Sequence, residues 1–109
     1  RLSRGLGDVY KRQTYVYALV DKKKIGAARY RNTKTGFKLE RFAVLKKYRN
    51  KGVGTLLVRY IEQRIGCNKK IYLHAQEPVV GFYSAVGYQK VGDKFFEAGI
   101  PHWKMIKIW

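Results

Sequence analysis

Cysteine occurs once in this sequence, at Cys67, so the chain can form no internal disulfide and no cysteine metal cluster. Histidine occurs twice, and His74, His102 and Cys67 have no metal-ligand spacing, so no metal is expected. No apolar run approaches the roughly 18 residues that a membrane helix needs. No signal-peptide pattern opens the sequence, and a reducing cytoplasm is the expected compartment. Acidic residues are scarce. Seven Asp and Glu stand against 24 Lys and Arg, a formal net charge of +17. Such an excess selects for anionic partners: nucleic acid, an anionic membrane or a phosphorylated cofactor. The apolar residues are plentiful, at 46% of 109 residues, which suffices for one folded domain and argues against disorder.

Residues 1–13 (RLSRGLGDVYKRQ) carry no sustained apolar period, and Gly5 and Gly7 interrupt any helix. The segment resembles a translated sequencing-library adapter and is set apart from the fold as non-native. Residues 14–109 are treated as the domain.

Residues 14–20 (TYVYALV) are β-branched and aromatic, and read as a strand. A polar turn leads to a second strand at residues 25–31, and the NTKTG segment at 32–36 is a turn. Residues 37–44 (FKLERFAV) alternate, with Phe37, Leu39, Arg41 and Ala43 on one face and Lys38, Glu40, Phe42 and Val44 on the other. The period then changes. Val53, Leu56, Leu57, Tyr60, Ile61 and Ile65 form a helical stripe over residues 52–65, and Gly66 supplies its stop. Residues 71–75 read as a strand, and 79–86 as a short helix entered through Pro78 and ended by Gly87. A strand starts at residues 88–91, residues 93–100 are a loop or short strand, Pro101 fixes a turn, and 102–109 form the last strand. The order β-β-β-α-β-α-β-β is that of an α/β (α+β) mixed sheet with helices on its faces.

The stretch FAVLKKYRNKGVGTLL, residues 42–57, carries the most chemistry. A strand ends, a basic glycine-containing loop follows, and a helix begins. The first amides of that helix lack intrahelical acceptors and its dipole adds positive potential, which together make an anion site. Gly52 and Gly54 have no Cβ to hold a pyrophosphate away, and Lys47, Arg49 and Lys51 add charge. The spacing is neither that of the nucleoside-triphosphate loop nor G-x-G-x-x-G. It is R-x-x-G-x-G, from Arg49 to Gly54. Here the chain resembles the GNAT superfamily of acetyl-CoA-dependent N-acetyltransferases, whose central motif is R/Q-x-x-G-x-G/A at a strand-to-helix turn. The FYSAVGY segment at residues 82–88 is similar to the F-Y-x-x-x-G-F/Y of that family. The EAGIPH segment at residues 97–102, with Met105 after it, looks like the small bacterial ElaA-like branch.

The resemblance implies a GNAT-like acyl-CoA N-acyltransferase fold with acetyl-CoA as co-substrate and no metal. The pantetheine arm would pair with Phe42, Ala43 and Val44, and the pyrophosphate would sit over Arg49, Asn50, Lys51, Gly52, Val53, Gly54 and Thr55, with Gln76 and Tyr83 nearby. Tyr83 stands where the family often places a general acid, and a phenol of pKa about 10 can share a proton with a thiolate whose acid has pKa about 8.5. Glu40 lies on the cradle strand, where several members keep a carboxylate that deprotonates the amine; the alternative is a cross-strand ion pair. Glu97 and His102 flank the Gly-Ile-Pro turn and are the candidate acceptor-pocket residues. His74 reads as scaffold. Such domains usually begin with one more strand and two helices, so the chain is read as N-terminally truncated, with an incomplete acceptor half. The expected partners are acetyl-CoA and a small-molecule or protein amine, with no nucleic acid and no membrane; a homodimer is compatible with this reading. The competing readings are a basic nucleic-acid-binding module and an inactive CoA-binding fragment. The first of these has no use for glycines at a helix N-terminus.

Overall fold

The computed structural model describes residues 13–109. The adapter-like segment lies outside the described residues except for its last one, Gln13, which belongs to the domain: it opens the first strand and pairs with Arg31.

Strands β1 (Gln13–Val20), β2 (Lys23–Thr33) and β3 (Gly36–Val44) form an antiparallel meander. Asp21 and Lys22 both take positive φ, 50° and 67°, which makes the first connection a two-residue turn whose twist suits a hairpin. Helix α1 (Val53–Ile65) then crosses to β4 (Ile71–Gln76), which runs parallel to β3. A single 3-10 turn through Pro78 enters α2 (Val80–Ala85), and β5 (Tyr88–Glu97) and β6 (Ile100–Lys107) close the sheet in the order β1-β2-β3-β4-β6-β5. The expected element order holds. Gly36 is required where β3 enters: a Cβ there would stand 2.7 Å from the Lys70 carbonyl oxygen, which accepts the Phe37 amide at 2.8 Å.

Four local expectations are corrected. The β5 strand is continuous through residues 88–97, with a register shift between Val91 and Phe95 in place of a loop. Pro101 lies inside β6 opposite Phe96. The turn falls instead on Ala98 and Gly99, both at positive φ, and Pro101 is tolerated because pairing of β6 with β4 begins one residue later, at His102. The buried stripe of α1 is Leu57, Val58, Ile61 and Glu62, whereas Leu56 is 51% exposed. The stripe is rotated because a buried charge occupies part of it. Finally, the alternation of β3 breaks at Arg41, as described below.

Both helices contribute to one core. Leu57, Val58 and Ile61 from α1, Tyr83 from α2 and Val86 just after it join Val16, Ala28, Leu39, Leu73 and Met105 from the sheet. Glu62 sits at the edge of this core. Its carboxylate accepts from the Tyr88 hydroxyl at 2.8 Å and from Arg59 Nη1 at 2.9 Å, and lies 3.3 Å from Lys107 Nζ. Lys107, its side chain largely covered, also donates to the Val86 carbonyl. Helix α1 is thereby tied to β5, β6 and the end of α2.

Burial pushes the Tyr83 phenol up to about 12, and burial, with the charge of Glu62 adding to it, raises Tyr88 as well. Both folded values exceed the unfolded value of about 10. The unfolded chain therefore loses these protons first. Their contribution is fully present below pH ~10 and is lost as pH climbs towards 12. Urea midpoints at pH 9, 10 and 11 should fall above pH 10, and a midpoint constant to pH 11 would contradict this account.

Candidate acyl-transfer site

Strands β3 and β4 are hydrogen-bonded neighbours over three pairs only, Phe37–Ile71, Lys38–Tyr72 and Leu39–Leu73. Beyond Leu39 the two strands run on without pairing, β3 to Val44 and β4 to Gln76. A V-shaped opening results, with one side of the β3 backbone free to receive an extended ligand. The opening begins at a bulge. Ala27 pairs with Ala43 and Arg29 with Glu40, so Arg41 and Phe42 together oppose Ala28, and Arg41 takes a φ of 57°. The bulge re-phases the strand. Phe42 and Val44 pack against the same core as Leu39, while Glu40 faces the basic side chains of β2, so Glu40 and Phe42 do not share a face as the alternation predicts.

The chain leaves β3 through a short 3-10 turn (Lys46–Tyr48), takes positive φ at Asn50 and Gly52, and enters α1. The Leu56 amide reaches Gly52 O at 2.9 Å, so the amides of Val53, Gly54 and Thr55 precede the helical ladder. Arg49 Nε donates to the Val44 carbonyl at 2.9 Å and folds the guanidinium over the end of β3. Together these surround a cleft of about 450 Å³, lined by Phe42, Ala43, Val44, Arg49, Asn50, Gly52, Val53, Gly54, Thr55 and Tyr83 from the expected set. Lys51 is exposed outside its wall, and Gln76 lines a second cleft instead. Tyr48, Val79 and Phe82 complete the wall and were not legible beforehand.

The two glycines differ. A Cβ on Gly52 would meet nothing within 4 Å, in keeping with a mouth open to an anion. A Cβ on Gly54 would stand 3.1 Å from the Phe82 ring, so Gly54 also lets α2 approach α1.

The second cleft, about 510 Å³, lies on the β4 side of the opening and shares Phe42, Val79 and Tyr83 with the first. Tyr83 is buried among Phe42, Phe82 and Tyr88, with ring centroids 5.9, 4.9 and 6.1 Å away. Its hydroxyl has no hydrogen-bond partner among the described residues. Glu40, Glu97 and His102 all line this cleft, so the structure brings the catalytic and acceptor candidates together. Glu40 is heavily engaged: it pairs with Arg29, lies 3.0 Å from Arg31 Nε and 3.7 Å from Lys38 Nζ. Glu97 bridges His74 and His102, at 3.2 and 3.5 Å. His74, Arg29, Lys38 and Arg41 also line this cleft and had not been singled out for it; only the strand register reveals them.

The sequence model of one protein family, described as "Acetyltransferase (GNAT) domain", matches residues 5–109. The "Uncharacterized N-acetyltransferase YjcF" of Bacillus subtilis (strain 168) is 42% identical over 89 residues, covering 78% of this chain and 63% of that protein. The "Uncharacterized protein YyaT" of the same organism is 40% identical over 86 residues, covering 76% and 57%. The chain thus spans about three fifths of the length of these curated relatives. Among solved structures, Escherichia coli ElaA superposes with a TM-score of 0.77 at 22% identity, over 88% of this chain and 68% of that one. An aminoglycoside 6'-N-acetyltransferase complexed with coenzyme A gives 0.78 at 21% identity, over 88% and 72%. At such identities these structures speak to fold alone.

Proposed function

The chain belongs to the GNAT acetyltransferase domain family, and from that premise we propose that its whole protein transfers the acetyl group of acetyl-CoA directly to a primary amine. The observation that carries this reading is the meeting of two clefts at one wall, Phe42, Val79 and Tyr83, beside an unpaired stretch of β3. The first cleft suits the donor: amides and an open glycine for the pyrophosphate, and a free strand edge for the pantetheine. The second suits the acceptor. Direct attack across the shared wall needs no covalent enzyme intermediate. As the C–N bond forms and the C–S bond breaks, the Tyr83 hydroxyl supports the departing thiolate, and the Val44 amide is the candidate donor to the carbonyl oxygen. Kinship with the ElaA-like branch rests on the hairpin residues Glu97 to His102. The acceptor belongs to a chain whose relatives are longer, and it is sought best with the whole protein.

Calorimetry with acetyl-CoA tests the donor cleft. Gly52→Val would place a β-branched residue at a φ of 83° and a side chain in the open mouth. At least a tenfold weaker affinity is expected for protein that remains folded by circular dichroism. An unchanged affinity would put the anion elsewhere.

A further inference from the structure

His74, Glu97 and His102 come from three different strands, β4, β5 and β6, and converge on the second cleft. His102 Nδ1 lies 2.8 Å from the Ile100 carbonyl oxygen. A carbonyl only accepts, so this nitrogen carries the hydrogen, while Nε2 of the same ring faces Glu97 Oε1 at 3.5 Å. A carboxylate accepts, so His74 Nδ1, 3.2 Å from Glu97 Oε2, is the donor of that contact. With Nδ1 so committed, His74 Nε2 keeps its lone pair, and it has no hydrogen-bond partner among the described residues. The ring is held edge-on by Phe95, 4.9 Å between centroids, and flanked by Tyr72 at 6.0 Å. The other carboxylate of this cleft, Glu40, is engaged by Arg29 and Arg31.

We propose that His74 is the proton acceptor for the attacking amine, with Glu97 as the positioning residue that fixes its tautomer; the proposal rests on the acetyl-transfer reading above. An alkylammonium gives one proton to His74 Nε2, and the freed nitrogen lone pair attacks the thioester carbonyl. The C–N bond forms, the C–S bond breaks while the departing thiolate accepts a hydrogen bond from Tyr83, and the second nitrogen proton passes to that thiolate. His74 returns its proton to water. The sum is one ammonium and one thioester giving one amide, one thiol and one proton.

The surroundings favour a neutral imidazole ready to accept. Burial, then the charge of Lys38 on β3, hold His74 below its ordinary value; Lys104 on β6 adds to this and Glu97 opposes it.

The chain holds only two histidines, so imidazole nitrogen resonances of the full chain can be assigned with one variant each. His74 is expected as the Nδ1–H tautomer, titrating below about 6.5. In single-turnover thiol release with a panel of primary amines, His74→Gln is expected to slow transfer by about 10²–10⁴-fold with unchanged acetyl-CoA affinity. It should also remove the acidic limb of the pH profile. Glu97→Gln should slow transfer less and move that limb. An Nε2–H tautomer, or full rate in folded His74→Gln, would overturn the assignment. A wild-type protein that binds acetyl-CoA yet acetylates no amine would overturn the transferase reading itself, and the base with it.

Discussion

Tyr83→Phe is expected to lower the single-turnover rate of acetyl transfer by about 10²-fold or more, towards the low end of the range for general acid–base groups. The affinity for acetyl-CoA should barely change. The hydroxyl has no hydrogen-bond partner among the described residues, and the ring keeps its contacts with Phe42, Phe82 and Tyr88, so the fold loses little. The raised phenol, at about 12, decides the kind of help it gives. Complete transfer to a thiolate, whose acid has pKa about 8.5, would be uphill by more than three units. Tyr83 therefore serves chiefly as a hydrogen-bond donor to the charge that grows on sulfur, a role confined to the transition state. It also stays protonated through the neutral range, so no basic limb below pH ~11 should trace to it. Full single-turnover rate in the variant would reduce Tyr83 to a packing residue.

Glu62→Ala should destabilise the domain by about 3–5 kcal/mol, the range for breaking a buried pair by removing one member. The change strands Lys107 and the Tyr88 hydroxyl in the core with their principal partner gone. Against a total stability of about 5–15 kcal/mol this is a large share, to be read from urea midpoints. Arg59→Ala should cost far less, since that guanidinium is half exposed and can be replaced by water. The charge rather than the contact area is at stake, so Glu62→Leu combined with Lys107→Met and Tyr88→Phe should recover most of the loss. A single variant near wild-type stability would mean that water reaches this corner readily.

The strands and helices were legible because their periods differ, and because Gly66, Gly87 and Pro78 punctuate them where they should. That Arg49 to Gly54 would gather around one cleft was legible too, because a local motif needs only its own neighbours. What escaped was non-local. Glu62 is an ordinary helical glutamate until Tyr88 and Lys107 arrive from strands that begin more than twenty residues later. Pro101 reads as a turn residue because its tolerance depends on where β4 stops pairing. His74 and Arg29 look like scaffold until register sets them beside Glu97 and Glu40. A charge is assigned a purpose by its neighbours across the sheet, and composition carries no record of them.

The bulge at Arg41 makes the floor of the donor cleft a matter of counting. Before it, β3 serves the sheet through Phe37 and Leu39; after it, the same strand lines the first cleft through Phe42 and Val44. Because side chains alternate with period 2, one extra residue exchanges the faces for everything downstream. Residue 41 is exposed, though its φ of 57° disfavours β-branched side chains, and the number of residues between Leu39 and Phe42 is the stricter constraint. Along this strand, insertions and deletions are the lethal class of change and substitutions the permissive one, so related chains should differ here in spelling but not in length.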